Sequence, residues 1–87
     1  MEFLGDFSFL SKYRIHLVID NNSVTIRLEG ENNEDFDELK KHFDELKIMS
    51  QYRNFGINFA EATLTNINLT KDIYTKNFRG SLHLKTN

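Results

Sequence analysis

Three histidines and several neighbouring carboxylates are the side chains of this chain that could carry acid–base or metal chemistry. His42 has Glu38 four residues before it and Glu45 three residues after it, a spacing that on a helix could hold a metal ion or tune a general base. His16 and His83 lie far from it in sequence, so the pattern lacks a second imidazole. We therefore interpret His42 as a solvated helix position with charge partners.

Other types of active site find little support in the composition. The chain has no cysteine, which excludes disulfides, thiolate nucleophiles and cysteine-ligated zinc or iron–sulfur sites. The four glycines are isolated, so no phosphate-binding loop is present. The adjacent pairs Asp37/Glu38 and Asp44/Glu45 point in different directions on a helix, which indicates solvation rather than glycosidic chemistry. We expect a non-enzymatic protein with no metal and no cofactor.

The charges are distributed unevenly along the 87 residues. Up to Leu46 there are eleven acidic and five basic residues, and after it two acidic and six basic, which together give the net charge of −2. Carboxylates crowded around one helix start can imitate phosphates and occupy a basic groove on another protein, although dipole compensation alone also explains them. The predicted partner-binding residues are Glu31, Glu34, Asp35, Asp37 and Glu38.

The second half of the chain offers an alternative binding surface. Basic residues interleaved with aromatic ones are typical of proteins that contact phosphates and stack on bases. The alternative nucleic-acid-binding residues are Lys71, Tyr74, Lys76, Arg79 and Lys85. Because the isoelectric point is near 5.9, the overall basic excess of a DNA-binding domain is missing, and we rank this alternative second.

The clearest structural element is a β-hairpin over Tyr13–Gly30. Apolar residues alternate with polar ones on both sides of Asn21-Asn22, a pair that tolerates positive φ in a two-residue turn. This turn sets Ile15 opposite Leu28 and Arg14 opposite Glu29, so an apolar pair and a charge pair agree on one register.

A helix follows, starting at Asn33 and running to about Arg53. Its apolar stripe has the spacing of three and four that one helix face requires, and an additional turn would bring in Tyr52. The stripe residues are Phe36, Leu39, Phe43, Leu46 and Met49. We expect this face to pack on the hairpin.

The remaining chain has β-like patterns. Residues 78–85 alternate cleanly, whereas 60–69 change parity and require a bulge or tight turn near Thr65-Asn66 if they form a strand. Phe59, Leu64, Leu69 and Tyr74 recur every five residues, and this stretch resembles the pentapeptide-repeat family, which implies a short coil there instead of ordinary strands. Residues 1–11 are expected to form a short strand or a lid on the core.

Together these patterns predict a single α+β domain over residues 1–87, in which a small antiparallel sheet packs on one helix in a ββαββ-like order. No apolar run is long enough to span a membrane and no signal peptide is recognised, so we expect a cytoplasmic location without membrane contact. In size and charge layout the chain resembles phage-encoded inhibitors of bacterial defence, such as anti-CRISPR proteins. The expected partner is a protein with a basic surface; if the strand at 78–85 lies at a sheet edge, a homodimer is a further possibility.

Overall fold

The computed structural model describes residues 2–31 and 35–86, which form one curled antiparallel sheet and one α-helix. A 3-10 stretch at Glu2–Lys12, called the N-terminal segment below, precedes them. The elements are β1 (Arg14–Ile19), β2 (Ser23–Gly30), α1 (Phe36–Met49), β3 (Phe55–Ile57), β4 (Ala60–Lys71) and β5 (Phe78–Thr86). The strand order is β1-β2-β5-β4-β3. The predicted α+β class is confirmed, with one more C-terminal strand than expected.

The hairpin of β1 and β2 has the predicted register. Ile15 pairs with Leu28, and Arg14 pairs with Glu29. The backbone N–H of Asp20 donates to the Ser23 carbonyl over 2.9 Å and closes the two-residue turn. Alternation therefore buries the inner side chains of β2 and leaves the outer face of the sheet polar.

Strand β5 lies in the centre of the sheet, between β2 and β4. The expectation that it lies at a sheet edge is wrong, because both of its edges are used: Gly80, for example, pairs with Leu28 on one side and Leu69 on the other. Its inner residues Leu82 and Leu84 are consequently almost completely buried.

Strand β4 contains the irregularity that the change of parity predicts. Its register against β5 shifts between Leu64 and Asn66, which leaves Thr65 as an extra residue. The bulge lets Ala62 and Leu64 before it, and Ile67 and Leu69 after it, all turn toward the core. The pentapeptide-like coil is therefore wrong for this stretch, which is a paired antiparallel strand.

Helix α1 is shorter than predicted. Leu39, Phe43 and Leu46 are buried as expected, and Phe36 is half-buried. The predicted start, Asn33, lies outside the described residues. At the other end the Ser50 hydroxyl donates to the Lys47 carbonyl over 2.7 Å and the helix ends at Met49.

The prediction that Tyr52 continues the apolar stripe is wrong, since Tyr52 is 80% exposed, and Met49 also lies at the surface. The physical reason is the short connection to the sheet. Phe55 already pairs with Ala62, so the chain must leave the helical path after Met49 to reach β3.

The N-terminal segment is a lid and not a strand. Leu4, Phe7 and Leu10 are completely buried in the same core as the helix stripe. Gly5 breaks the regular backbone with φ 53° and ψ −120°, a combination that favours glycine. A Cβ at this position would come within 2.2 Å of the Gly56 carbonyl oxygen, so the segment lies directly against β3.

Candidate functional site

A groove of about 790 Å³ lies at one end of the sheet, where β1 and β5 begin and β2 and β4 end. We call it the end groove. Antiparallel pairing brings these strand ends together, because Arg14, Glu29, Arg79 and Thr70 are consecutive partners across four strands. Its charged lining residues are Lys12, Arg14, Glu29, Glu31, Lys71, Asp72 and Arg79. The groove therefore contains both signs of charge, suited to a polar or charged surface more than to an apolar ligand.

The predicted acidic surface borders this groove. Glu31 lines it and lies 3.8 Å from the Arg14 guanidinium. Lys12 also lines the groove, with its Nζ 3.8 Å from an Asp35 oxygen and 3.6 Å from a Glu38 oxygen. Sequence reasoning missed both cations, because each comes from an element far from the helix start in the chain.

These ion pairs do not remove the carboxylates from solvent. The side chains of Asp35 and Glu38 are about half exposed, and that of Glu31 is more exposed still. Exposed ion pairs contribute little to stability because water and salt screen them, so an incoming cation could replace Lys12 or Arg14 at little cost. Asp37 is exposed in the first turn of α1, and Glu34 lies outside the described residues.

Tyr13 connects the groove to the core. Its ring meets Phe78 edge-on with centroids 5.9 Å apart, and burial raises the pKa of its phenol. The neighbouring Lys12 ammonium lies 5.3 Å from the Tyr13 ring centroid. Tyr13, Asp35 and Glu38 together raise the pKa of Lys12.

The loop between β4 and β5 forms a fixed projection beside the groove. One Asp72 oxygen accepts hydrogen bonds from the backbone N–H groups of Tyr74, over 2.7 Å, and Thr75, over 3.2 Å. These bonds lower the pKa of the Asp72 carboxyl. Ile73 and Tyr74 are 77% and 88% exposed at its end, and we call these two residues the hairpin tip.

The alternative, basic set is only partly brought together. Lys71, Tyr74, Lys76 and Arg79 surround the β4–β5 hairpin, but Lys85 lies at the other end of β5, opposite Ser23 and Thr63. Within the described part of the chain no carboxylate lies within ion-pair distance of any of the four cations in this set.

The outer face of the sheet adds polar residues that the sequence prediction omitted. A shallow hollow of about 360 Å³ lies above the middle strands. Its polar lining residues are Arg27, Glu29, Asn68, Thr70, Arg79 and Ser81. The alternation of polar and apolar residues in β2, β4 and β5 indicates that these side chains share one face. Which of them are neighbours follows only from the strand order.

The three histidines lie on three different elements, His16 on β1, His42 on α1 and His83 on β5. His42 stacks on Phe9 with ring centroids 4.7 Å apart, and His83 Nδ1 lies 3.3 Å from the Thr25 hydroxyl. Residues 2–31 and 35–86 contain no cluster of three potential metal ligands. No helix in the same ranges is long and apolar enough to cross a membrane.

Comparison with known proteins returns nothing for this chain: no protein-family model, no curated protein and no solved structure matches it. The end groove, the hairpin tip and the start of α1 are therefore the features of this molecule that indicate a function.

Proposed function

We propose that this chain is a non-enzymatic binding protein that contacts another protein with its hairpin tip and the acidic start of α1. The observation that carries the proposal is an exposed apolar pair, Ile73 and Tyr74, held on an ordered loop at the same end of the molecule as the carboxylates.

The Phe36 ring joins the start of α1 to the base of the β4–β5 hairpin. The Phe36 ring, in the first turn of α1, lies 5.8 Å from the buried ring of Phe78 at the start of β5. The Lys71 ammonium, at the end of β4, lies 4.9 Å from the Phe36 ring centroid. The helix start and the base of the β4–β5 hairpin are thus parts of one surface.

The chemistry of this surface indicates its partner. Exposed tyrosines on ordered loops are favourable interface anchors, since they bury a large ring at a small entropic cost. The carboxylates beside them raise the association rate with positively charged surfaces. The expected partner has an apolar hollow with a basic rim, as found on proteins that bind nucleic acids, and its blockage would make this chain an inhibitor of the phage-encoded, anti-CRISPR-like type.

The first test isolates the hairpin tip. A pull-down from host lysate with mass spectrometry identifies the partner, and binding is then measured with both purified proteins. Tyr74→Ala should weaken binding at least about tenfold, because the anchor ring is lost. Tyr52→Ala is the matched control, since Tyr52 is equally exposed but follows the other end of α1. Equal effects of the two substitutions would contradict the proposal.

The second test isolates the acidic start of α1. Reversing Asp35, Asp37 and Glu38 to Lys should slow association and abolish its salt dependence. Asp44→Lys with Glu45→Lys is the control, because these carboxylates are exposed on the same helix but further along it. If the triple variant binds with native affinity and native salt dependence, the carboxylates only compensate the helix dipole.

Nucleic-acid binding is the second candidate function, favoured by three arginines on the outer sheet face. Arg14, Arg27 and Arg79 belong to three adjacent strands, and Glu29 is the acidic residue paired between two of them. Single-stranded DNA or RNA binding with a steep salt dependence, lost in Arg27→Ala with Arg79→Ala, would support this function. If no DNA or RNA binding is detected even at low salt, this candidate function is excluded.

A further inference from the structure

The sheet edge formed by β3 and β4 is paired over only part of its length. β3 pairs with β4 only from Ala60 to Ala62, although β4 continues for nine more residues to Lys71. No backbone group in the described residues pairs with the remaining outer edge of β4, the edge that faces away from β5. Unpaired edge groups of this kind favour addition of another strand.

The side chains of this edge do not repel another strand. Residues 62–70 contain no charged side chain and no proline, two of the means by which proteins block an edge. The opposite edge strand, β1, carries Arg14 and His16 on its outer face. The residues after the bulge are Asn66, Ile67, Asn68, Leu69 and Thr70.

We propose that the outer edge of β4 pairs with the same edge of a second copy of this chain, forming a two-fold symmetric dimer with a continuous sheet. The segment is complementary to itself. An antiparallel register centred on Asn68 sets Ile67 of one copy opposite Leu69 of the other, twice, and Asn68 opposite itself. Ile67 and Leu69 are half-buried in the single chain, so the pairing covers apolar surface on the core side.

This dimer does not depend on the proposed function, because it uses an edge of the sheet and not the hairpin tip. The strand that the sequence suggested for dimerisation, β5, is paired on both sides, whereas the outer edge of β4 beyond Ala62 is unpaired among residues 2–31 and 35–86. The bulge at Thr65 limits the pairing to the residues that follow it.

The mass in solution provides the first test. Light scattering over a concentration series should give twice the monomer mass of 10.3 kDa at high concentration. Asn68→Lys should raise the dimer dissociation constant at least about tenfold, since it places like charges directly opposite each other. His16→Lys, a similar change on the other edge strand, should leave the dimer intact. A monomer at all concentrations, or equal effects of both variants, would overturn the proposal.

Cysteine cross-linking provides the second test, in a chain without native cysteines. Residues directly opposite each other in antiparallel strands have Cα atoms about 4.5–5.5 Å apart, within reach of a disulfide. Asn68→Cys should therefore form a disulfide-linked dimer at least about ten times faster than Thr70→Cys, whose two copies lie four residue pairs apart in this register. Equal rates would show that any dimer uses a different surface. A monomeric chain that instead binds an added strand peptide of another protein would assign the edge to that partner and overturn the self-pairing.

Discussion

The inner face of the sheet has two covers, and they are held in place by different kinds of contact. α1 contributes Leu39, Phe43 and Leu46 from a regular stripe, while its backbone hydrogen bonds are satisfied within the helix. The N-terminal segment contributes side chains that are buried just as completely, but from an irregular backbone that must fit against β3. A regular helix tolerates small shifts along a sheet, whereas an irregular cover depends on a few specific contacts.

The largest expected effect comes from removing a buried ring from either cover. Phe43→Ala in α1 and Phe7→Ala in the N-terminal segment should each lower the free energy of unfolding by about 3–5 kcal/mol. Each loss is a large part of the stability of a small domain. Urea unfolding monitored by circular dichroism measures both, and Phe59→Ala, at an 84% exposed position, is the control with little expected change. If the Phe43→Ala variant has the same free energy of unfolding as the unchanged chain, α1 does not hold the core together.

The next effect separates backbone fit from side-chain burial. Gly5→Ala should cost at least about 2 kcal/mol, because it combines a positive φ with a contact against the Gly56 carbonyl oxygen. Gly56→Ala is the matched control from the other side of the same contact, where the nearest atom to an added Cβ is an Asp6 oxygen at 3.7 Å. In thermal unfolding, the melting temperature of Gly5→Ala should be far below that of Gly56→Ala. Equal stabilities would mean that the segment docks loosely.

The third effect concerns the side chain that fastens the N-terminal segment to β3. An Asp6 oxygen accepts the Gly56 N–H over 2.7 Å and lies 3.3 Å from the Arg53 guanidinium. The Gly56 hydrogen bond, and then Arg53, lower the pKa of Asp6 below its usual range. Because the Asp6 side chain is more than a third exposed and water screens its charge, Asp6→Asn should cost no more than about 1 kcal/mol at neutral pH.

This cost should depend on pH with a defined sign. Because the folded pKa of Asp6 is lowered, its carboxylate contributes fully above the ordinary carboxyl pKa of about 4 and progressively less as the pH falls through the folded value. The stability difference between the native chain and Asp6→Asn should narrow in this acidic window. A difference that stays constant from neutral to strongly acidic pH would show that the charge of Asp6 plays no part.

Regular elements were predictable from the sequence, and the contacts between distant segments were not. The hairpin register follows from alternation and one turn, and the bulge at Thr65 follows from a change of parity. The spacing of Leu4, Phe7 and Leu10 is three, the period of a 3-10 helix, and was the available signal for the N-terminal segment. The docking of Asp6 on Gly56 and of Lys12 on the helix start join residues far apart in the chain, so no local pattern reveals them.

The smallest effect tests whether the two covers also stabilise each other. Lys12, the last residue of the N-terminal segment, bridges to Asp35 and Glu38 at the start of α1. All three side chains are about half exposed, so Lys12→Met should lower the free energy of unfolding only slightly, and the loss should shrink as salt is added. Lys41→Met, on an exposed position of α1 without an ion pair among the described residues, is the control for removing a charge. A basic partner would have to displace Lys12 from Asp35 and Glu38. Lys12→Met should therefore strengthen the binding of such a partner, although it lowers the stability of the chain slightly. A loss of stability larger than that caused by Asp6→Asn would mean that the two covers form one cooperative unit joined at Lys12.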